Sequence, residues 1–217
     1  MSELFKYCRW MKNKIVYLLF LIILLSAIGV TSYPCENSIE KTLSGFDDCW
    51  DITIPDDYSS IQMGIDHAAP GDHIFVRAGI YKENINIDIE QLVLCGEKQE
   101  DTIVDGGGIG GIIKITANGT RFSNFTVCNG SLGNVHAACI EIFSYGNIIT
   151  NNSCYTTNYG IWVIDSKNNI ITNNTCICRW DGIWLDNSGQ NILRDNSMIG
   201  SGLVIDGFSP SATTSTL

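Results

Sequence analysis

Three stretches of this chain superimpose at a fixed spacing of 22 residues: Asn147-Ile-Ile-Thr-Asn-Asn-Ser-Cys154, Asn169-Ile-Ile-Thr-Asn-Asn-Thr-Cys176 and Asn191-Ile-Leu-Arg-Asp-Asn-Ser-Met198. A repeat of this length is a supersecondary unit that buries its apolar face only by stacking on its neighbours, so the chain is a solenoid. Each unit holds a second short apolar run opened by a small residue: Ala138-Cys-Ile-Glu-Ile142, Gly160-Ile-Trp-Val-Ile164, Gly182-Ile-Trp-Leu-Asp186 and Gly202-Leu-Val-Ile-Asp206. Such runs of Ile, Val and Trp bounded by Asn, Gly, Ser and Asp are strand and turn chemistry, and the period leaves no room for helices. The Leu-x-x-Leu-x-Leu skeleton of leucine-rich repeats is missing. The expected fold is therefore all-β: a parallel β-helix with rungs of about 22 residues, in which equivalent strands pair in register.

Stacking converts the repeat into ladders. Ile149, Ile171 and Leu193 form one inward line, and Cys154, Cys176 and Met198 form another that Val127 extends one rung earlier. Asn152, Asn174 and Asn196 form a third, expected to bond turn backbone in a structural role. Strand alternation places Ile161, Val163, Ile183 and Leu185 inside and Trp162 and Trp184 outside. Ile140-Glu-Ile142 fits this pattern only with an offset of one residue, which predicts a turn that gains or loses a residue. The preceding rung, Gly111-Ile-Ile-Lys-Ile115 with Phe122-Ser-Asn-Phe-Thr-Val127, carries about five extra residues in the loop from Asn129 to Ala137. Loops of this kind hold binding sites, and this one contains His136.

Before the repeats, Ile15 to Val30 is an almost unbroken apolar run preceded by Lys6, Arg9, Lys12 and Lys14. It predicts a signal peptide or membrane anchor over 1–32, with small-residue cleavage sites at Ala27-Ile-Gly29 or Val30-Thr-Ser32, and an extracytoplasmic domain that is secreted or at the cell surface. Its removal takes four basic residues and one acidic one, moving the formal charge from −10 to −13. That charge excludes phosphate-neutralising nucleic-acid binding. The nine cysteines fall to eight once Cys8 is lost, a number compatible with disulfides in an exported protein. Cys35 and Cys49, in an irregular lead over 33–51, are the expected pair. Cys154 and Cys176 are near enough for a bridge, or pack as free thiols.

Residues 52–207 form the β-helix domain. Asp57 or Ser59 is expected to N-cap a short helix whose Ile61, Ile65 and Ala68 share a face, with Pro70-Gly71 ending it. This helix would cover the first rung. Phe208-Ser-Pro-Ser-Ala-Thr-Thr-Ser-Thr-Leu217 reads as a linker-like tail, so further rungs in a longer parent protein, or a protein partner, are expected to cover that end.

Three segments carry a family resemblance: Pro55-Asp-Asp-Tyr58 with Ile61-Gln62 and Ile65-Asp66; Pro70-Gly-Asp72 with Ile74, Val76, Gly79, Tyr81 and Glu83-Asn84; and Asp105-Gly-Gly-Gly108. They resemble right-handed parallel β-helix proteins of the pectate-lyase-like class, and within it NosD-type copper-binding and archaeal surface β-helix proteins. The resemblance implies the fold over residues 52 to about 207. A superfold hosts many functions, so activity has to be read from sites. The methylesterase motifs Gln-Asp-Thr and Asp-Phe-Ile-Phe-Gly do not occur.

For catalysis of the lyase or hydrolase kind, the candidate constellation is Arg179, Asp181 and Asp186, with Asp165 one rung away, beside Trp180 and Trp184. Ordinary charges on a solvated turn are the competing explanation. Trp162, Trp184 and Trp180 are the candidate carbohydrate-binding residues, offering aromatic surface to a glycan or cell-envelope polymer. No motif requires a cofactor. Calcium would suit the acidic balance, and the resemblance implies copper, for which His136 is the candidate metal ligand. Among the five Asn-x-Ser/Thr triplets, Asn118 and Asn129 lie in loops and are the favoured glycosylation sites. Together these residues favour a binding or structural envelope role over a complete enzyme.

Overall fold

Runs of three to six apolar and β-branched residues, each ended by Asn, Gly, Asp or Ser, make strands too short to stand alone; they are stable only as rungs stacked on one another. The computed structural model describes residues 50–133, 136–155, 157–199, 202–206 and 213–215. In chain order these form β1 (Ile52–Ile54), α1 (Ile61–His67), β2 (His73–Val76), β3 (Gly79–Lys82), β4 (Ile85–Ile87), β5 (Val93–Gly96), β6 (Thr102–Asp105), β7 (Ile113–Ile115), β8 (Arg121–Ser123), β9 (Thr126–Cys128) and β10 (Ala138–Ile142). They continue as β11 (Ile148–Thr150), β12 (Ser153–Tyr155), β13 (Tyr159–Ile164), β14 (Ile170–Thr172), β15 (Thr175–Ile177), β16 (Asp181–Asp186), β17 (Ile192–Arg194), β18 (Ser197–Met198), β19 (Gly202–Asp206) and β20 (Thr213–Ser215). All pairings are parallel and every third strand stacks on its equivalent, giving sheets in the orders β1-β2-β5-β8-β11-β14-β17-β20, β3-β6-β9-β12-β15-β18 and β4-β7-β10-β13-β16-β19. This is a parallel β-helix of about seven turns.

The core consists of columns. Ile52, Ile74, Leu94, Phe122, Ile149, Ile171 and Leu193 are successive register partners and all are buried. Tyr81, Val104, Val127, Cys154, Cys176 and Met198 form the second column. Ile140 pairs with Ile161 and Ile142 with Val163, so the expected one-residue offset is present. The turn from Ile142 to Ile149 is one residue shorter than the turn from Val163 to Ile171.

At the corners the strand ladder is interrupted, and asparagine replaces it. Asn174 Oδ1 accepts the Asn152 N–H at 3.0 Å, and Asn174 Nδ2 donates to the Ile149 carbonyl at 2.9 Å. Asn152 does the same for Phe125 N–H and the Phe122 carbonyl, and Asn196 for Asn174 N–H and the Ile171 carbonyl. A second ladder, unassigned from the repeat, runs through Asn147, Asn169 and Asn191, all fully buried, with Oδ1 atoms 2.9 Å from the Thr120, Asn147 and Asn169 N–H groups. The residue before each of the inward corner positions of the first ladder has a different task. Asn124, Asn151, Asn173 and Asp195 sit at φ 64°, 56°, 58° and 55°, the left-handed conformation that short amide side chains tolerate.

Gly160 and Gly182, the second residues of β13 and β16, lie against the sulfur column. A Cβ on Gly160 would lie 2.6 Å from Cys176 Sγ, and one on Gly182 would lie 2.5 Å from Met198 Cγ.

Helix α1 buries Ile61 and Ile65. Its N-cap is Ser60, whose hydroxyl accepts the Met63 N–H at 3.2 Å, not Asp57 or Ser59. Asp57 instead accepts the Thr53 N–H. A non-local carboxylate completes the cap: Glu83 Oε1 and Oε2 accept the Ile61 and Gln62 N–H groups, each at 2.9 Å, satisfying donors that a helix start leaves open. At the other end, β20 lies inside the segment expected to be a linker and pairs in register with β17. The leader at 1–32 and the pair Cys35 and Cys49 lie outside the described residues. Among the described residues, no helix is long and apolar enough to cross a membrane.

Substitutions at one corner separate the two asparagine roles. Asn174→Ala orphans a buried N–H and a buried carbonyl and is expected to cost about 2–4 kcal/mol, whereas Asn173→Gly, which keeps the left-handed backbone, is expected to cost well under about 1 kcal/mol. Urea unfolding of the two variants against the parent checks this.

Candidate functional site

The outward positions of the third sheet form a ladder of unlike residues. Asn86, Lys114, Glu141, Trp162, Trp184 and Val204 are successive register partners in β4, β7, β10, β13, β16 and β19. Alternation turns their strand neighbours inward, so all six side chains leave the same face.

The two tryptophans meet as expected. Their rings are parallel to within 1° with centroids 4.8 Å apart. They do not lie flat on the sheet as a two-ring platform, however, because each gives a face to the other. His136, from the inserted loop, covers the second face of Trp162 at 5.3 Å and 19°. Tyr159 leans on Trp162 and Trp184 at 5.9 and 4.9 Å and receives Trp180 edge-on at 5.5 Å. Both indole N–H groups are buried without a hydrogen-bond partner, so ring packing orients the pair. In the next rung Val204 occupies the register of Trp184 and is 36% exposed. Trp180 is exposed nearby.

Glu141 heads the column on its other side. Its Oε1 accepts the Ala138 N–H at 3.4 Å. Burial pushes its carboxyl above the usual carboxylate range, against the weaker opposing pull of that N–H, Lys114 and His136. Residue order marks this group only by its outward register.

The catalytic candidates divide between two corners. Asp181 opens β16 and Asp186 ends it; five extended residues put them about 16 Å apart. Arg179 lies near the Asp181 end, where its Nη1 donates to the Leu132 carbonyl at 3.4 Å and ties that turn to the inserted loop. Asp165 lies at the other end, at φ 47°, and accepts Asn187 Nδ2 at 2.6 Å. Asn118 and Asn129 both have occupied side chains: Asn118 Oδ1 accepts the Tyr145 N–H at 2.9 Å, and Asn129 Nδ2 donates to Asp105 Oδ1 at 2.7 Å.

The cysteines form a core cluster. Among the described residues Cys95 is disulfide-bonded, and Cys128, Cys139, Cys154, Cys176 and Cys178 are free thiols. Cys178, expected past the turn with one member of the Cys176–Cys178 pair pointing outward, turns inward instead, because the outward position between them is taken by Ile177. Cys139 Sγ lies 3.1 Å from Thr157 Oγ1. Hydrogen bonding to Cys139, followed by burial, raises the Cys178 thiol; contacts with Cys139 and Cys176 raise that of Cys154.

A solenoid of short parallel rungs in three sheets is the parallel β-helix architecture. The chain belongs to the family described as periplasmic copper-binding protein (NosD), whose model matches residues 66–212. No curated protein matches it in sequence. Among solved structures it is similar to the pectin methylesterase of Aspergillus niger, at 16% identity and TM-score 0.62 over 79% of this chain and 63% of that one. It is also similar to a rice weevil pectin methylesterase (13%, TM-score 0.56, 76% and 64%) and to an alginate lyase from a Paenibacillus species (15%, TM-score 0.54, 63% and 54%). The chain thus spans less than two thirds of each of these proteins, and the likeness is one of fold.

Copper does not fit the described residues. His67 bonds the Met63 carbonyl through Nδ1 and stacks on Tyr58, His73 meets Trp50 edge-on, and His136 stacks on Trp162. Among the described residues no three His, Cys, Asp or Glu side chains converge as a metal-holding group. The raised thiols of Cys154 and Cys178 are poor ligands, since metals bind the thiolate.

The Glu141 environment has a consequence for stability. A carboxyl raised in the folded state holds its proton at pH values where the unfolded chain has released it, so stability falls as pH rises through that interval. Glu141→Gln is expected to remove this fall and to match or exceed the parent above the interval. Melting temperatures of the two proteins across the acidic to neutral range check it.

Proposed function

We propose that this chain is an extracytoplasmic β-helix domain that binds a glycan or cell-envelope polymer on the outer face of the third sheet, acting in attachment or envelope structure and not as a complete enzyme. The observation that supports this reading is the cluster of Trp162, Trp184, Tyr159 and Trp180 on that face, with Trp180 exposed at its edge. A pyranose ring presents axial C–H groups that stack on an aromatic face, and its hydroxyls need polar partners at the rim. Asp181 and Asp186 stand at the two ends of the Trp184 strand and supply such acceptors. The fold agrees with this choice: the solved relatives are, by name, enzymes of pectin and alginate, both polysaccharides. The separation of Asp181 from Asp186 favours recognition over acid–base chemistry, which needs two carboxyl groups within about 10 Å.

Two measurements test it. Isothermal titration with a panel of plant and microbial oligosaccharides is expected to find a ligand whose affinity drops about tenfold in Trp184→Ala, the loss of roughly 1.4 kcal/mol that one stacking contact carries. Incubation with uronate-containing polysaccharides is expected to release no product. Turnover that disappears in Asp181→Ala or Asp186→Ala would overturn the reading in favour of an enzyme.

A further inference from the structure

Four thiols meet at the corner between the second and third sheets. Cys154 and Cys176 are register partners in β12 and β15, and both are buried. Cys178 lies just past β15, and its Sγ reaches back to the Cys154 carbonyl at 3.7 Å. Cys139 enters from the opposite direction. It is the second residue of β10, in the register position that Gly160 and Gly182 hold in the two following rungs. Its Sγ lies 3.3 Å from the Val127 carbonyl, 3.6 Å from the Tyr155 carbonyl and 3.1 Å from Thr157 Oγ1. Its thiol also hydrogen-bonds those of Cys154 and Cys178. All four are free thiols in this structure.

The repeat shows how near Cys139 and Cys154 stand. A Cβ on Gly160 would lie 2.8 Å from Cys176 Cβ, and one on Gly182 would lie 2.9 Å from Met198 Cβ. In the preceding rung the equivalent pair is Cys139 and Cys154, where both positions carry a Cβ. Relaxing such a contact by about 1 Å brings it to the Cβ separation of about 3.5–4.5 Å that a disulfide spans. Cys154 and Cys176, by contrast, stand one strand spacing of about 4.8 Å apart, beyond that range. Cys139 and Cys178 approach each other from either side of Thr157, whose Oγ1 lies 3.1 Å from one sulfur and 3.7 Å from the other.

We propose that Cys139 and Cys154 form a redox-sensitive staple: a small-molecule disulfide oxidises them to a disulfide bond that ties β10 to β12, while Cys176 and Cys178 remain thiols. The inference is independent of the glycan reading. One thiolate of the pair attacks the oxidant, forming a mixed disulfide and releasing one oxidant thiolate; the other then attacks the protein sulfur of that mixed disulfide and releases the second. The two protons lost by the cysteines go to the released thiolates, so the protein loses two hydrogens and the oxidant becomes two thiols. Both sulfurs are buried, so exchange occurs while the rungs are apart, before they stack in folding or during local opening. The bond joins the strand that follows the inserted loop to the rung that carries Trp162. His136, in that loop, stacks on the same Trp162, so the staple holds together the two rungs that the loop spans.

The test uses the full chain in glutathione buffers of graded oxidised-to-reduced ratio, one sample refolded in them and one kept folded throughout. Free thiols are blocked by alkylation, and cleavage after Phe143 and Tyr145 separates the two cysteines for mass spectrometry. A peptide linked through Cys139 and Cys154 is expected to appear as the oxidised fraction rises. Its formation is expected to raise the melting temperature by about 5–10 °C, because the bond closes a loop in the unfolded chain. Cys154→Val places at 154 the residue that holds the same column position at 127, and is expected to remove the link and the shift together. Cys176→Val is expected to leave both in place. Three results would overturn the staple: no link among these cysteines at any ratio, a link from Cys154 to Cys176 or from Cys139 to Cys178 in place of the expected one, or a melting temperature that does not rise with the linked fraction.

Discussion

The corner asparagines are the interaction on which the rest of this molecule depends. Parallel strands of three residues supply too few ladder bonds to hold a rung, and each corner interrupts the ladder where backbone groups are already buried. An inward Asn bonds both the N–H of the equivalent residue and a carbonyl in the preceding rung, so the corner is as continuously bonded as the strand. Its outward predecessor takes the left-handed conformation that turns the chain. Because both jobs recur in register, the strands between them have no freedom to slip, and the alternation of inward and outward residues is settled for every sheet.

The outer face inherits its order from that register. Lys114, Glu141, Trp162, Trp184 and Val204 are neighbours only because their rungs are aligned, although they are scattered over some ninety residues of chain. The inserted loop before β10 then breaks the uniformity of the stack. It brings His136 onto Trp162, and Arg179 anchors it through the Leu132 carbonyl. Regular rungs build the scaffold, and the irregular one distinguishes one side of it.

Much of this could be read from residue order. The period, the inward columns, the outward tryptophans and the one-residue offset at Ile140 all follow from spacing and alternation, which are local properties. What escaped had non-local causes. The Glu83 cap of α1 comes from the connection between β3 and β4. The inward turn of Cys178 depends on its flanking Ile177 pointing out, and the docking of Glu141 depends on a missing side chain at Gly111 one rung below. Asp181 and Asp186 looked like partners because they are close in sequence, but an extended strand separates what a turn or helix would gather. The two tryptophans were placed on the right face, yet their mutual stacking, which hides the faces a flat platform would offer, needed coordinates. β20 was missed because Thr-Thr-Ser has the composition of a linker.

The asparagine ladder also has a direction. Every interior Oδ1 accepts from the preceding rung, and every corner N–H donates to the following one, so consecutive rungs are related by translation alone. A structure with that symmetry has interchangeable layers: excising one period, or duplicating it, joins two surfaces that already match in donors, acceptors and apolar columns. Length is thus a quantity such a chain can change by whole units without redesigning any interface. The constraint falls instead on the few rungs whose outward residues are unlike, since inserting a layer between Glu141 and Trp184 would preserve the fold while moving apart the groups that share its outer face.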